Sequence, residues 1–308
     1  MYSFNVLYRF AAICATLGIG LFPPTALANR VACFHSNMGN FCIELFESHA
    51  PLTTANFLNY INTDAYLHGI FHRSVPSFVI QGGGFKIVDT ANGKTIAPVT
   101  PFAPVKNEFK LHNTRGTVAM AKLSGDPDSA TSQWFVNLND KNSTNLDIQN
   151  GGFTVFGRII FDGMLVFDAI EKLPIVDLGP SLTDTPLVNY NNGSQVLFSN
   201  FVQINQVEVF DTTGVFSEGI ASFAVDIGTN EALEVKLRLI QVQPSLIFQL
   251  EPQIASLPAK PANVATFSSQ SGQLFIPSVM IDSSTIVKNV IMNLTDPQTY
   301  QFTLQQFE

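Results

Sequence analysis

Phe71-His72-Arg73-Ser74-Val75-Pro76-Ser77-Phe78-Val79-Ile80-Gln81-Gly82-Gly83-Gly84 is the stretch on which the reading of this 308-residue chain turns. One guanidinium and one amide stand among apolar residues that favour extended backbone. Arg73 and Gln81 are separated by an even number of positions, which gives them the same face on a continuous strand, although Pro76 interrupts it. The glycine triplet reads as a bulge or tight turn leaving a strand. A phosphate-binding loop would need a lysine at a fixed offset, and neither that nor a dinucleotide fingerprint occurs.

Outward from this stretch, short strands alternate with two helical patterns. Val31 to Ser36, Phe41 to Phe46, Gly116 to Met120, Ser132 to Leu138, Phe153 to Ile160 and Phe201 to Phe210 read as strands. Pro51 to Ile61 reads as a helix, with proline in its first turn and Phe57, Tyr60 and Ile61 on one face. Asp162 is placed as the cap of a second helix carrying Met164, Phe167 and Ile170, stopped by Pro174. Many strands with two helices suggest a closed β-barrel whose ends the helices cover.

The texture changes past a polar stretch at 213–219, read as a linker. Residues 220–308 show no helical period, while Leu233–Leu239, Leu274–Ile281, Val287–Leu294 and Tyr300–Phe307 alternate. Prolines at 244, 252, 258, 261 and 297 punctuate them, giving a small all-β, sandwich-like domain. Leu237–Leu250 and Val290–Leu304 echo one another: each is a strand, a proline-bearing turn and a strand with Phe248 or Phe302.

Composition sets the class. The chain is 46% hydrophobic and 13% charged, enough apolar material for substantial cores. Twenty-seven phenylalanines favour β-rich interiors. A net charge of −8 without a Lys/Arg cluster argues against nucleic acid or an anionic membrane as the main partner. The five histidines are scattered without a metal-ligand spacing, and Asp126 and Asp128 read as a solvated turn. No metal or cofactor is expected.

Residues 1–28 carry targeting features: Arg9, an apolar run from Phe10 to Phe22, then Ala26-Leu27-Ala28 as a cleavage site. The expectation is an exported, periplasmic-type protein starting near Asn29, with no integral span after cleavage; an uncleaved anchor is the alternative. Cys33 and Cys42 then remain. They flank the turn-rich Asn37-Met38-Gly39-Asn40, and a hairpin closed there brings them to near-opposite positions. Either a disulfide in an oxidising compartment or two buried free thiols satisfies this pattern.

Phe-His-Arg at 71–73, Phe-x-x-Gln-Gly-Gly at 78–83 and Ser-Gln-x-Phe at 132–135 occur together, with Gly116–Ala121 and Val155–Arg158 in support. In order and spacing these elements resemble the cyclophilin family, nearest to periplasmic bacterial members, over residues 30–212. The resemblance implies a closed eight-stranded barrel capped by two helices at 29–212 and peptidyl-prolyl cis/trans isomerase activity on proline-containing polypeptides. It assigns Arg73, Gln81 and Phe78 as catalytic. It assigns Val79, Met120, Ala121, Lys122, Gln133, Phe135, Leu146 and Phe153 to substrate binding.

Rotation about an X-Pro bond faces a barrier of about 18–20 kcal/mol and takes roughly tens to hundreds of seconds unaided. No covalent bond forms or breaks. A guanidinium that hydrogen-bonds the twisted amide binds it better than either planar isomer. The pattern departs from the family at Val79 for methionine, Phe153 for histidine or tyrosine, Trp134 for phenylalanine and Asn145 for an aromatic residue. The last change leads to an expectation of weak cyclosporin binding. The competing reading is a proline-binding module with incidental isomerase activity, whose C-terminal domain carries the main interaction.

Overall fold

The computed structural model describes residues 29–228, 231–257, 260–261 and 263–308. The targeting features read at 1–28 lie outside the described residues. The protein is mainly β, with few helices, and separates into two compact units, one of them Val31–Phe210 and the other built on Asp211–Glu308.

The first unit is organised on one eight-stranded sheet. Its strands are β1 (Asn29–Ser36), β2 (Gly39–Leu45), β3 (Arg73–Val75), β4 (Val79–Gly82), β5 (Thr117–Met120), β6 (Trp134–Asn137), β7 (Val155–Ile160) and β8 (Ile204–Thr212). They run in the order β8-β1-β2-β7-β5-β6-β4-β3. Beyond the ladder, His68 and Phe71 donate backbone hydrogen bonds to the carbonyls of Ile204 and Val202 at 2.9 and 3.1 Å.

Helix α1 (Pro51–Asn62) begins with proline, as expected. No local side chain caps it. The Glu108 carboxylate accepts from the Leu52 and Thr53 amides at 3.1 and 2.8 Å instead, satisfying orphan N–H groups from a distant loop. Helix α2 (Gly163–Ile170) follows Asp162, but the Asp162 side chain makes no capping hydrogen bond, against expectation. Phe167 and Ile170 are fully buried, and Phe167 meets Phe41 edge-on at 4.9 Å.

Trp134, the single tryptophan, is fully buried. Phe34, Phe57 and Phe71 lie 5.7, 6.0 and 5.6 Å from its ring. Aromatic clusters of this size contribute most of a core's burial energy. Cys33 and Cys42 sit opposite one another in the β1–β2 register and are joined by a disulfide, with Cα atoms 4.0 Å apart. The two-thiol alternative therefore falls away.

The second unit is built from β9 (Gly214–Ser217), β10 (Ile220–Asp226), β11 (Ala232–Gln241), β12 (Ile247–Leu250), β13 (Gln273–Met280), β14 (Ile286–Asp296) and β15 (Gln301–Gln306). The order is β9-β10-β11-β12-β15-β14-β13. Parallel pairing of Gly214 with Val279 and of Val215 with Met280 joins the first strand to the last and closes a seven-stranded barrel. This replaces the expected sandwich, and it places β9 inside the stretch expected as a linker. Within the β9–β10 pair Gly214 lies against Phe223 and the Ser222 carbonyl, so closely that a Cβ would meet that oxygen at 2.8 Å. The echo seen in sequence has a physical counterpart, because the β11–β12 and β14–β15 hairpins meet with Phe248 directly opposite Phe302.

Candidate functional site

Strand register assembles a row of side chains on the first unit. Arg73 pairs with Gln81, Gln81 with Phe135, Phe135 with Ala119, and Ala119 with Val155. Cross-strand partners share a face. A cation, an amide and three apolar groups therefore line up across β3, β4, β6, β5 and β7. The two-residue period sends their neighbours Ile80, Val136, Val118 and Phe156 to the other side, into the main core.

Around the row, Val79, Ala119, Phe135, Leu146 and Val155 form a separate buried apolar cluster. Phe78, Ala121 and Phe153 pack against it half-buried, and the Phe135 and Phe153 rings meet at 5.7 Å and 70°. The result is an apolar cluster whose outer members, Phe78, Ala121 and Phe153, reach the surface. Arg73 stands at its polar edge with 37% of its side chain exposed, 3.6 Å from Asp184. Gln81 donates to the Gln133 side-chain oxygen at 2.6 Å, which fixes the direction of its amide.

Of the residues expected here, Arg73, Gln81, Phe78, Val79, Gln133, Phe135, Leu146, Phe153 and Ala121 are brought together. Lys122 lies at the margin. Its ammonium donates to the Asn150 and Gly152 carbonyls at 2.8 and 2.7 Å and sits 4.8 Å from the Phe153 ring centre. Burial lowers its pKa. Met120 is not part of the cluster: it pairs with Trp134 on the core face and is 1% exposed. Asn145 is exposed and accepts a hydrogen bond from the Gln149 amide.

The sequence reading missed the polar scaffold behind the cluster. Asn142 donates to the Phe78 carbonyl at 2.7 Å and to Asn137 at 2.8 Å; Asn137 in turn donates to Asn113 and Thr117. Asn113 also bonds the Phe153 carbonyl at 3.0 Å and the Asp147 carboxylate at 2.9 Å. Burial alone would raise the Asp147 pKa, but hydrogen bonds from Asn113 and His112 outweigh it and hold the group below the usual range. This network ties the Phe78, Leu146 and Phe153 walls to the sheet. With its amide engaged and 5% exposure, Asn142 is no glycosylation acceptor despite its Asn-Ser-Thr context.

The glycine triplet is explained by close approach. Gly83 has φ +76°, and a Cβ there would lie 2.4 Å from the Ser132 carbonyl oxygen. A Cβ at Gly84 would meet His72 and Gln133 at 2.9 and 3.0 Å. Gly83→Ala is therefore expected to lose at least about 2 kcal/mol in a urea unfolding titration. A change below about 0.5 kcal/mol would contradict this packing.

His72 is 4% exposed, and its Nδ1 has no hydrogen-bond partner. Burial, aided by the Arg73 charge and opposed by Gln133, lowers its pKa to about 4. The unfolded chain takes up this proton near pH 6.5 while the folded one stays neutral. Stability from His72 is thus complete above pH 6.5 and lost as pH falls towards 4, on the order of 3 kcal/mol in all. In His72→Phe this part of the acid limb is expected to flatten when melting temperature is followed from pH 7 to 4. An unchanged limb would assign the loss to other groups.

Residues 31–191 match the family described as cyclophilin type peptidyl-prolyl cis-trans isomerase/CLD. The chain belongs to that family and is an isomerase of its type. A peptidyl-prolyl cis-trans isomerase of Acinetobacter baylyi is 43% identical over 169 residues, 54% of this chain and 85% of the relative. Peptidyl-prolyl cis-trans isomerase B of Escherichia coli is 40% identical over 143 residues, 45% of this chain and 82% of the relative. A cyclophilin structure from Cryptosporidium parvum, solved in the presence of the dipeptide Ala-Pro, is 23% identical. It covers 59% of this chain and is itself 99% covered, with a TM-score of 0.42.

Proposed function

We propose that the protein accelerates X-Pro isomerisation during folding of exported polypeptides, with Arg73 stabilising the twisted amide while the apolar cluster holds the proline ring. The observation that carries this reading is the row Arg73–Gln81–Phe135–Ala119–Val155, which sets one cation at the edge of an apolar cluster. As the amide twists, its nitrogen becomes pyramidal and gains a lone pair, and a guanidinium beside it gains a hydrogen bond absent in the planar states. Gln81, oriented by Gln133, holds the substrate backbone. A protease-coupled assay on an X-Pro peptide, wild type against Arg73→Ala, is the test.

The same proposal includes a closed eight-stranded barrel covered by helices α1 and α2 as the rigid frame. The hydrogen bonds from 68 and 71 to 204 and 202 favour closure. Export is supported by the Arg9 to Ala28 pattern and by the Cys33–Cys42 disulfide, which suits an oxidising compartment. Cell fractionation tests it: recovery of the full-length chain in the cytosol would refute export.

Cyclosporin is expected to bind weakly, because exposed, polar Asn145 stands where the family has an aromatic ring. Calorimetry measures this, and binding as tight as in a drug-sensitive family member would defeat the expectation. Asn145→Trp should tighten it.

A further inference from the structure

The barrel of the second unit holds an open cavity of about 330 Å³ at one end. Its walls include Phe216, Leu239, Phe248, Ile276, Met292 and Leu304, and all thirteen lining residues are apolar. The strand period explains the lining, since alternate residues of β11, β14 and β15 face inward. A second cavity, of about 60 Å³, shares none of these residues.

The end with the larger cavity is also where this unit exposes its large apolar side chains. Among the described residues of the unit these are Ile240, Val242, Ile281 and Phe307. Ile281 and Phe307 line the cavity, and Ile240, near the end of β11, and Val242, just beyond it, lie between the wall residues Leu239 and Leu246. A closed barrel has no need of such a mouth for stability, because filling the space with larger side chains would bury more surface. Pockets of about 300–1,000 Å³ lined by apolar groups are the usual form of small-molecule sites. By scale, a dry cavity of about 150 Å³ takes benzene, so this one has room for roughly a dozen carbon atoms.

Charge narrows the ligand. Glu218, Asp282 and Glu308 are exposed in the turns and strand end at the mouth, against Lys288. Arg238, next to Leu239, is already paired with Glu251. An anionic headgroup would meet net negative charge there. We propose that this cavity binds an uncharged hydrocarbon-rich small molecule, independently of the isomerase site.

The test uses the full chain and the uncharged dye N-phenyl-1-naphthylamine. Saturable one-to-one binding is expected, with displacement by decanol and at least tenfold weaker displacement by decanoate. Ala221→Phe and Val290→Phe place a ring inside the cavity, and each is expected to weaken the dye at least tenfold while the barrel still melts cooperatively. Two variants are used so that a misfolded one leaves the other to decide. Arg73→Ala should bind the dye as wild type does. Absence of saturable binding, or undiminished affinity in a folded filled variant, would overturn the proposal. Equal displacement by decanoate would overturn the uncharged ligand, and displacement by an unfolded apolar polypeptide but not by decanol would replace it with a peptide-docking site.

Discussion

Arg73→Ala is expected to lower kcat/KM on an X-Pro peptide by about 10²–10³, the usual effect of removing one preorganised donor from a transition state. Stability should hardly change. The Arg73–Asp184 contact is 3.6 Å long between side chains 37% and 43% exposed, and exposed ion pairs contribute about 0–1 kcal/mol. The loss should fall on kcat more than on KM, because the apolar cluster proposed to hold the proline ring is untouched. Arg73→Lys keeps the charge but not the planar fork of donors, so it should recover little. Asp184→Ala is the control: it removes the neighbouring carboxylate and leaves the guanidinium in place. If Arg73→Ala and wild type isomerise at comparable rates, the row of side chains is a binding surface and the catalytic role must be withdrawn.

Trp134→Ala is the largest expected stability change, about 3–5 kcal/mol. The ring is fully buried among Phe34, Phe41, Phe57, Tyr66 and Phe71, all with centroids within 6.4 Å. No smaller side chain can fill that volume without moving several strands. Its Nε1 has no hydrogen-bond partner, so Trp134→Phe gives back some energy by removing a buried N–H and should cost far less. Urea unfolding followed by circular dichroism measures both, since the alanine variant loses the chain's single tryptophan and with it the fluorescence signal. A loss below 1 kcal/mol in Trp134→Ala would mean the cluster is much looser than its distances imply.

The first unit was legible because its chemistry and its pleat coincide. Arg73 and Gln81 end up directly opposite across a hairpin, and Pro76 with Ser77 at φ +58° supplies the turn that replaces a continuous strand. Helix α1 was found by its apolar face, but its cap was invisible because Glu108 arrives from a distant loop. Asp162 occupies the N-cap position as expected but makes no capping hydrogen bond, because residue type says nothing of where the carboxylate points. Met120 was misplaced by one pleat: motif adjacency put it beside the pocket, while the two-residue period turns it to the core. The hairpin of Phe85–Thr90 and Gly93–Pro98 was overlooked, although Asn92-Gly93 between alternating runs is a hairpin signal. In the second unit the strands were legible and their closure was not. Alternation reports which residues face inward, and a sandwich and a barrel present the same alternation. Asp184 and the Asn113–Asn137–Asn142 scaffold carry no local pattern and emerge only from the three-dimensional arrangement.

The ring of the second unit also dictates an order of events during synthesis. Strand β9 pairs on one side with β13, and β12 pairs with β15, so two of its seams join segments far apart along the chain. Such non-local pairings are slow to form. Residues 31–210, by contrast, are wholly available before β13 leaves the ribosome, and domains tend to fold as units from the N-terminal end. A nascent chain would thus carry a finished isomerase while its second half still exposes the edges of β9 and β12. Stalling translation after Met280 and comparing it with the released full-length chain, each probed with protease, should resolve these two stages.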